Sequence, residues 1–372
     1  MKKILFIIGT RPEAIKSIPV LKALKALPHF EVKLCITAQH RGMLDQILAF
    51  FDIQPDFDLD LMKSDQTLFD VHTVGLQKIE PVLDEFKPDL IFVQGDTNTA
   101  YLGAQAGFYK KIKVAHIEAG LRSHHKYSPF PEEMNRRLIS QLTDIHFTPT
   151  LKATRNLKNE GFTDSIFQVG NTVIDALLSS LELIKNQDPM IYSTYFASLG
   201  VQTTQKFILV TGHRRESFGE PLEKICKALI DVAKRLQIPI VYSVHLNPNI
   251  QKPVQKLLGH SSGICIIPPL DYPRFVWLMK QCYLIVTDSG GIQEEAPTLN
   301  KPVLVTRTIT ERMEGIESGT AKLVGHDPLI IFDEIEKLII DPVYYEKMSQ
   351  SPNPYGDGLA TQRILEHINN LG

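Results

Sequence analysis

The 372-residue sequence has few of the features that mark disulfide-rich, nucleic-acid-binding or membrane-spanning proteins. Its four cysteines are scattered in apolar surroundings without a CxxC pair, which is typical of reduced cysteines in a cytoplasmic protein. Lys and Arg number 40 against 42 Asp and Glu, so no basic excess indicates a nucleic-acid partner. No apolar run reaches membrane-spanning length, and the opening MKKILFIIGTRPE is too short in its apolar part for a signal peptide. We expect a cytoplasmic protein that binds neither nucleic acid nor membrane.

Two series of apolar runs, separated by helical patterns, dominate the rest of the chain. The runs are apolar throughout, as expected for parallel strands covered on both faces. Residues 170–205 are helical and polar and contain no strand pattern. The sequence therefore predicts an α/β fold of two Rossmann-like domains that face each other across a cleft. The predicted strands are 3–8, 32–37, 89–94, 113–117 and 144–149, then 206–211, 238–244, 263–268, 283–287 and 302–306.

The loop after the first strand carries basic residues. Gly9 permits a tight turn, and Arg11 and Lys16 could both reach an anion at the start of the following helix. The alternative is a loop arginine beside a solvated helix lysine. The loop is not GxGxxG, so no dinucleotide cofactor is predicted.

Three carboxylates of the first series are candidate acid and base groups. Asp96 and Glu118 each follow a predicted strand, at the sheet edge where open α/β folds bind ligands. Glu132 follows Pro131 at a predicted helix start, where the helix dipole alone would favour an acid. Asp96 has the alternative role of a helix cap, and His116 fits a packed strand histidine. No HExxH pattern suggests a catalytic metal.

The second series ends its strands in residues suited to a nucleotide diphosphate. His213 follows the first of these strands beside two arginines and fits a general acid or phosphate donor; the alternative is a loop histidine in a salt-bridged turn. Ser289, Gly290 and Gly291 open a helix whose N–H groups can bind phosphate. Glu295 could accept hydrogen bonds from a ribose, and Arg312 adds positive charge. These residues indicate a nucleotide-diphosphate sugar bound between two domains.

The motifs are similar to those of bacterial non-hydrolysing UDP-N-acetylglucosamine 2-epimerases, and they cover essentially the whole chain. The resemblance implies the glycosyltransferase-B fold with a C-terminal helix, 359–371, that returns to the first domain. The implied domains are 1–170 with 356–372, and 171–355. It also implies a homodimer without cofactor or metal that interconverts UDP-GlcNAc and UDP-ManNAc for surface polysaccharide synthesis. The motifs are GTRPEAIK, TAQHR, HIEAGLR, SPFPEEMNR, GNTVIDAL, TGHRRE, VHLNP, TDSGGIQEEAP, TER and NPYGDG.

The resemblance also implies roles for individual residues. Carried over motif by motif, Asp96, Glu118 and Glu132 would be catalytic carboxylates, with His213 near the diphosphate. Phe275 would lie beside the uracil. The remaining substrate-binding residues would be Arg11, Lys16, Ser289, Gly290, Gly291, Glu295 and Arg312.

Several positions depart from the family pattern. Gln94 stands where the family usually has His, while Thr308 and Met313 replace Asp and Pro near Arg312, so we expect altered rather than abolished activity. Gly42 and Asp65 stand where regulated members tend to have Gln and Arg. A second, activating UDP-GlcNAc site is therefore in doubt, although its residues Gln39, Arg214, Glu216 and His245 match. A retaining glycosyltransferase, a hydrolysing epimerase and a UDP-sugar sensor are the alternative functions.

Overall fold

The structure is a computed structural model that describes residues 1–38, 41–61, 66–214 and 217–369. The chain divides into two compact units. The first unit contains Met1–Ser179 and Tyr355–Gly372, and the second unit contains Ser180–Pro354.

The first unit is built on a sheet of seven parallel strands in the order β3-β2-β1-β4-β5-β6-β7. Its β1 is buried from Ile4 to Ile8, and helices cover both faces, which explains why its strands read as continuous apolar runs. The strands are β1 (Lys2–Ile8), β2 (Phe30–Ile36), β3 (Phe57–Asp58), β4 (Leu90–Gln94), β5 (Lys113–Ile117), β6 (Ile145–Thr148) and β7 (Ile166–Gln168).

The helices of the first unit connect these strands and include the last helix of the chain. They are α1 (Arg11–Lys25), α2 (Arg41–Phe50), α3 (Leu68–Phe86), α4 (Asn98–Tyr109), α5 (Glu132–Leu142), α6 (Leu151–Asn159) and α16 (Ala360–Asn369), while α7 (Thr172–Lys185) runs from the first unit into the second. Helix α16 packs on α1, and the His367 ring stacks on Phe167 of β7 with centroids 3.8 Å apart. The C-terminal helix thus belongs to the first unit.

The second unit repeats this architecture with six parallel strands in the order β10-β9-β8-β11-β12-β13. Its strands are β8 (Ile208–Gly212), β9 (Ile240–Val244), β10 (Ile264–Ile267), β11 (Leu284–Thr287), β12 (Val303–Val305) and β13 (Ala321–Leu323). Its helices are α8 (Met190–Ser198), α9 (Glu220–Arg235), α10 (Pro248–Leu258), α11 (Tyr272–Gln281), α12 (Gly290–Glu295), α13 (Met313–Glu317), α14 (Pro328–Ile340) and α15 (Pro342–Ser349), with a 3-10 turn at Ala296–Leu299.

Each sheet has one point at which the strand order reverses. In the first unit β1 lies between β2 and β4, and in the second unit β8 lies between β9 and β11. Loops that leave neighbouring strands in opposite directions leave a crevice at such a point, and open α/β proteins bind ligands there. The residues after β1, β4, β8 and β11 are therefore the first place to look for a site.

The predicted fold class is confirmed, since the chain forms two units that each contain a parallel α/β sheet. The sequence prediction missed β3, β7 and β13, which have only two or three residues each. Within the described residues, no helix is both long enough and apolar enough to cross a membrane.

Candidate active site

Glu118 is the most constrained of the predicted carboxylates. It follows β5 with a φ of 66°, a left-handed conformation that costs a non-glycine residue free energy. Its Oε2 lies 2.6 Å from Nζ of Lys16 on α1 and also accepts a hydrogen bond from Nε2 of Gln94 at the end of β4. The Glu118 side chain is only 8% exposed. Two donors on one oxygen hold the carboxylate in a fixed orientation.

Asp96 lies in the turn between β4 and α4, one residue after Gly95. The alternative that Asp96 caps the next helix is wrong, because the side chain of Thr97 accepts the N–H of Ala100 and caps α4 instead. The Asp96 carboxylate is paired with Arg136 of α5, whose Nη2 lies 2.6 Å from Oδ2. Asn135 donates to the Asp96 carbonyl oxygen at 2.9 Å, so α5 lies across this turn.

Glu132 is the first residue of α5, and Pro131 occupies the N-cap position. The helix thus begins one residue later than predicted. Its Oε2 is buried and makes no hydrogen bond within the described residues. Residues three and four apart share a helix face, so Glu132 lies on the side of α5 that carries Asn135 and Arg136 toward Asp96. A buried acceptor without a protein partner is costly in a folded protein, so this oxygen is a candidate to accept a hydrogen bond from a ligand or a water.

Glu133 has a structural role that the sequence reasoning missed. Its side chain is fully buried and accepts the backbone N–H groups of Ser123 and His124 at 2.8 and 3.2 Å. Burial opposes its ionisation, but the bonds from Ser123 and the charge of Arg136 outweigh burial and lower the pKa of Glu133. This carboxylate fixes the loop that follows β5 to the start of α5.

His116 is a packed strand histidine, as predicted. It is 1% exposed, and burial lowers its pKa to about 3. A neutral ring must use its Nε2–H to donate to the Gly95 carbonyl oxygen, 2.7 Å away. His116 thus supports the turn that carries Asp96.

In the second unit, Asp288 follows β11 and holds the loop at the end of β8 through hydrogen bonds. Its carboxylate accepts the backbone N–H groups of His213 and Arg214, at 3.1 and 3.0 Å, and the hydroxyl of Ser217. It also lies 3.4 Å from Nδ1 of His213, whose side chain is 44% exposed. Asp288 was not among the predicted site residues, although it lies in the TDSGG motif. It joins the two loops at the strand-order reversal of this sheet.

Ser289 is the N-cap of α12, and Gly290 and Gly291 are its first two residues, so this segment opens a helix as predicted. A Cβ on Gly290 would lie 3.3 Å from the guanidinium of Arg312, so glycine allows that cation to lie against the helix start. Arg312 is held there by Glu294, at 2.9 Å from Nε, and by Glu311. Although burial opposes it, the charges of Arg312 and its neighbours lower the pKa of Glu311 to about 2, so Glu311 stays ionised. Helix N–H groups and a fixed arginine together suit an anion.

The remaining predicted residues of the second unit lie on α11 and α12. Glu295 is buried and accepts a hydrogen bond from the hydroxyl of Tyr272 at 3.1 Å. Phe275 lies one turn after Tyr272 on α11 and is half-buried. The predicted contacts of Glu295 with a ribose and of Phe275 with the uracil stay predictions.

Only part of the possible regulatory site can be placed. His245 is exposed, with its ring centroid 6.0 Å from that of His213, and Arg214 donates to Glu311 at 3.2 Å. Gln39, Glu216 and Asp65 lie outside the described residues. Among the described residues, no group of three or more His, Cys, Asp or Glu is arranged to hold a metal ion.

Comparisons with known proteins agree with this chemistry. The family model described as UDP-N-acetylglucosamine 2-epimerase matches residues 22–369. The UDP-N-acetylglucosamine 2-epimerase of Campylobacter jejuni is 51% identical over 98% of this chain and 97% of its own length. The enzyme of the same name from Escherichia coli K12 is 50% identical over 99% and 98%.

Solved structures give the same result. The UDP-GlcNAc 2-epimerase of Neisseria meningitidis, solved bound to UDP-GlcNAc, is 46% identical and superposes with a TM-score of 0.90 over 99% of this chain and 100% of that one. Identity at this level over the full length, together with the family model, confirms the resemblance inferred from the motifs. The chain belongs to the UDP-N-acetylglucosamine 2-epimerase family.

Proposed function

We propose that this protein catalyses the reversible epimerisation of UDP-GlcNAc to UDP-ManNAc at carbon 2 of the sugar. The observation that carries the proposal is the division of chemistry between the units. The first unit presents Asp96, Glu118 and Glu132, whereas the second presents an anion site at the start of α12. The Neisseria relative that was solved with UDP-GlcNAc is similar over its whole length, which supports this substrate.

The chemistry explains why both sets of residues are needed. Carbon 2 has no neighbouring carbonyl, so simple deprotonation would be prohibitively slow. Elimination solves this, because a base removes the C2 proton, the C–H electrons form the C1–C2 double bond, and the C1–O bond breaks to release UDP. UDP then adds back to C1 of the resulting 2-acetamidoglucal while an acid protonates C2 on the opposite face. The reaction needs an acid and a base, but no redox cofactor.

We assign the proton transfers to the first unit and leaving-group stabilisation to the second. Asp96, Glu118 and Glu132 are the available proton-transfer groups. Arg11 and Lys16 provide further positive charge, while His213, Arg312 and the N–H groups after Ser289 stabilise UDP as it leaves and returns. Glu295 and Phe275 then bind the nucleoside.

Gln94 gives this chain a distinctive environment for Glu118. Its amide donates to the Glu118 carboxylate but cannot titrate, unlike a histidine. We therefore propose altered activity relative to members with histidine, rather than an inactive enzyme.

The deciding experiment is to incubate the purified protein with UDP-GlcNAc in D2O and follow the sugar by NMR. The proposal predicts UDP-ManNAc at equilibrium, with deuterium at C2 of both UDP-sugars. Release of free ManNAc and UDP would identify a hydrolase instead. An unchanged substrate would contradict the epimerase and leave a glycosyltransferase or a UDP-sugar sensor.

The setting of this activity is also a proposal. We propose that the enzyme is cytoplasmic, in keeping with the four free cysteines, and that it supplies ManNAc units for surface polysaccharides. We further propose a homodimer. Helices α3 and α4 of the first unit pack together and expose Phe69, Phe108 and Tyr109, which supports an association surface.

A further inference from the structure

Glu13, in the first turn of α1, is a buried carboxylate that links two loops of the first unit. It is 1% exposed. Its Oε2 accepts the backbone N–H of Gly9 at 3.1 Å, and its Oε1 accepts the hydroxyl of Thr97 at 2.6 Å. Hydrogen bonds to an ionised acceptor are stronger than neutral ones.

The two groups held by Glu13 belong to the loops at the strand-order reversal of the first sheet. Gly9 is the first residue after β1 and lies two residues before Arg11. Thr97 follows Asp96 and caps α4 with the same hydroxyl oxygen, which accepts the N–H of Ala100 at 3.1 Å. One carboxylate therefore ties the loop of Arg11 to the loop of Asp96.

Gly9 is packed closely against two threonine side chains. A Cβ on Gly9 would lie 2.2 Å from Oγ1 of Thr99 and 2.3 Å from Oγ1 of Thr37. These two hydroxyls are hydrogen-bonded to each other at 2.8 Å. The backbone at Gly9 is therefore closely packed against this pair, which limits how far the turn can shift toward it.

We propose that Glu13 is a positioning residue, whose ionised carboxylate holds the Arg11 and Asp96 loops at the separation needed for proton transfer at the sugar. The inference rests on the proposed epimerase function. Glu13 does not touch the substrate in this scheme. It acts through Thr97 and through α1, which also carries Lys16, the ion-pair partner of Glu118.

The Glu13 carboxyl that makes this link changes its protonation state in the physiological pH range. Burial raises the pKa of Glu13 to about 7, against the lowering effect of its hydrogen bonds. The charged groups that neighbour this link in sequence are Arg11 and Lys16 on α1 and Asp96 beside Thr97; Lys22 and Lys25 lie in the last turn of α1. Lys16 is paired with Glu118, and Asp96 with Arg136. A protonated Glu13 has one acceptor fewer, so the link weakens as the pH falls below about 7.

The test compares Glu13→Gln with the unmodified enzyme across the pH range. The glutamine side chain has the shape of the protonated acid but cannot ionise. We expect kcat for C2 deuterium exchange to be roughly tenfold higher for the unmodified enzyme above the Glu13 pKa, with the ratio approaching one below it. KM for UDP-GlcNAc should change less than kcat, because the nucleotide-binding residues assigned to the second unit are not part of this link. A ratio that does not vary with pH would show a merely structural loss and overturn the proposal.

Thr97 provides the matched pair of variants. Thr97→Ser keeps the hydroxyl and should keep the dependence on pH. Thr97→Val keeps the shape, removes both the donor to Glu13 and the cap of α4, and should remove the dependence. Equal pH profiles for the two variants would contradict the link.

A measurement independent of turnover separates this inference from the proposed function. In protein labelled with carboxyl-13C glutamate, Glu13 should titrate near pH 7, and the amide resonances of Gly9 and Thr97 should shift with the same midpoint. A Glu13 that titrates near its ordinary value, or that titrates without moving those amides, would refute the link even in an active enzyme. An enzyme without epimerase activity would refute the proposed function while this titration still decides the role of Glu13.

Discussion

At the scale of single residues, the carboxylates of the first unit differ in what surrounds them. Glu118 is oriented by Lys16 and Gln94, and Asp96 is paired with Arg136, whereas Oε2 of Glu132 is buried without a partner among the described residues. Their residue types and positions at strand and helix ends were predictable from the sequence. Their partners were not, because ion pairs between residues 40 or 102 positions apart depend on tertiary packing.

Removing the charge of either glutamate should stop proton transfer. We expect Glu118→Gln and Glu132→Gln each to lower C2 deuterium exchange by at least about 100-fold, the usual contribution of a general acid or base. UDP affinity, measured by calorimetry, should change less than about threefold, because neither glutamate is assigned to contact UDP.

Glu85→Gln is the control for these two variants. Glu85 is an exposed carboxylate on α3 of the same unit, so its substitution should leave both exchange and UDP affinity unchanged. Normal exchange in Glu118→Gln and Glu132→Gln would remove both residues from the catalytic assignment.

At the scale of helices and strands, the sequence is most informative where the core is continuous. The ten strands with clear apolar runs were predicted, since burial on both faces requires such runs. The short strands β3, β7 and β13 contain only two or three residues each, which is too few for a recognisable apolar run. The inward orientation of Glu13 and Asp288 was also unpredictable, because an acid near a helix start usually faces solvent and the dipole alone explains it.

The turn after Glu118 depends on a glycine, and this can be tested. Gly120 has a φ of 86°, and a Cβ there would lie 2.3 Å from the carbonyl oxygen of Ala153 in α6. Gly120→Ala should therefore combine left-handed strain with a backbone clash and cost roughly 3 kcal/mol in the free energy of unfolding. It should also shift the neighbouring Glu118 and lower C2 exchange.

Gly161→Ala isolates the strain from the clash. Gly161 has a φ of 92° but nothing within 4 Å of a Cβ, so its substitution should cost only about 1 kcal/mol and leave exchange intact. Urea unfolding of both variants measures the difference. Equal losses of stability would show that the contact with Ala153 does not constrain the turn.

At the scale of the whole molecule, the two units carry different candidate groups on one architecture. Each places some of these groups at the strand-order reversal of its own sheet, with Asp96 after β4 in the first unit and His213 after β8 in the second, whereas Glu118 and Glu132 follow β5. The same topology thus carries candidate acid and base groups in the first unit and a candidate anion site in the second. The two units differ in their loop residues. The motifs in those loops therefore indicate the function, whereas the shared fold does not.

The proposed homodimer gives a prediction at this scale. Phe69 is 86% exposed on α3, and Phe108 is 60% exposed on α4. Burial of one phenylalanine contributes about 1.5 kcal/mol or more, and a twofold-symmetric interface contains each residue twice. Phe69→Ser or Phe108→Ser should therefore weaken dimerisation by roughly 100-fold in Kd, measured by sedimentation velocity over a range of concentrations.

Tyr127→Ser is the comparison that makes the dimer experiment specific. Tyr127 is 66% exposed but lies in the loop between β5 and α5, away from α3 and α4 in sequence. If the α3 and α4 surface forms the interface, Tyr127→Ser should leave the dimer intact. The loss of an exposed apolar side chain outside the interface does not weaken dimerisation. A monomeric unmodified protein would refute the dimer. A dimer weakened equally by all three substitutions would refute this surface, since only a specific interface distinguishes Phe69 and Phe108 from an equally exposed aromatic elsewhere.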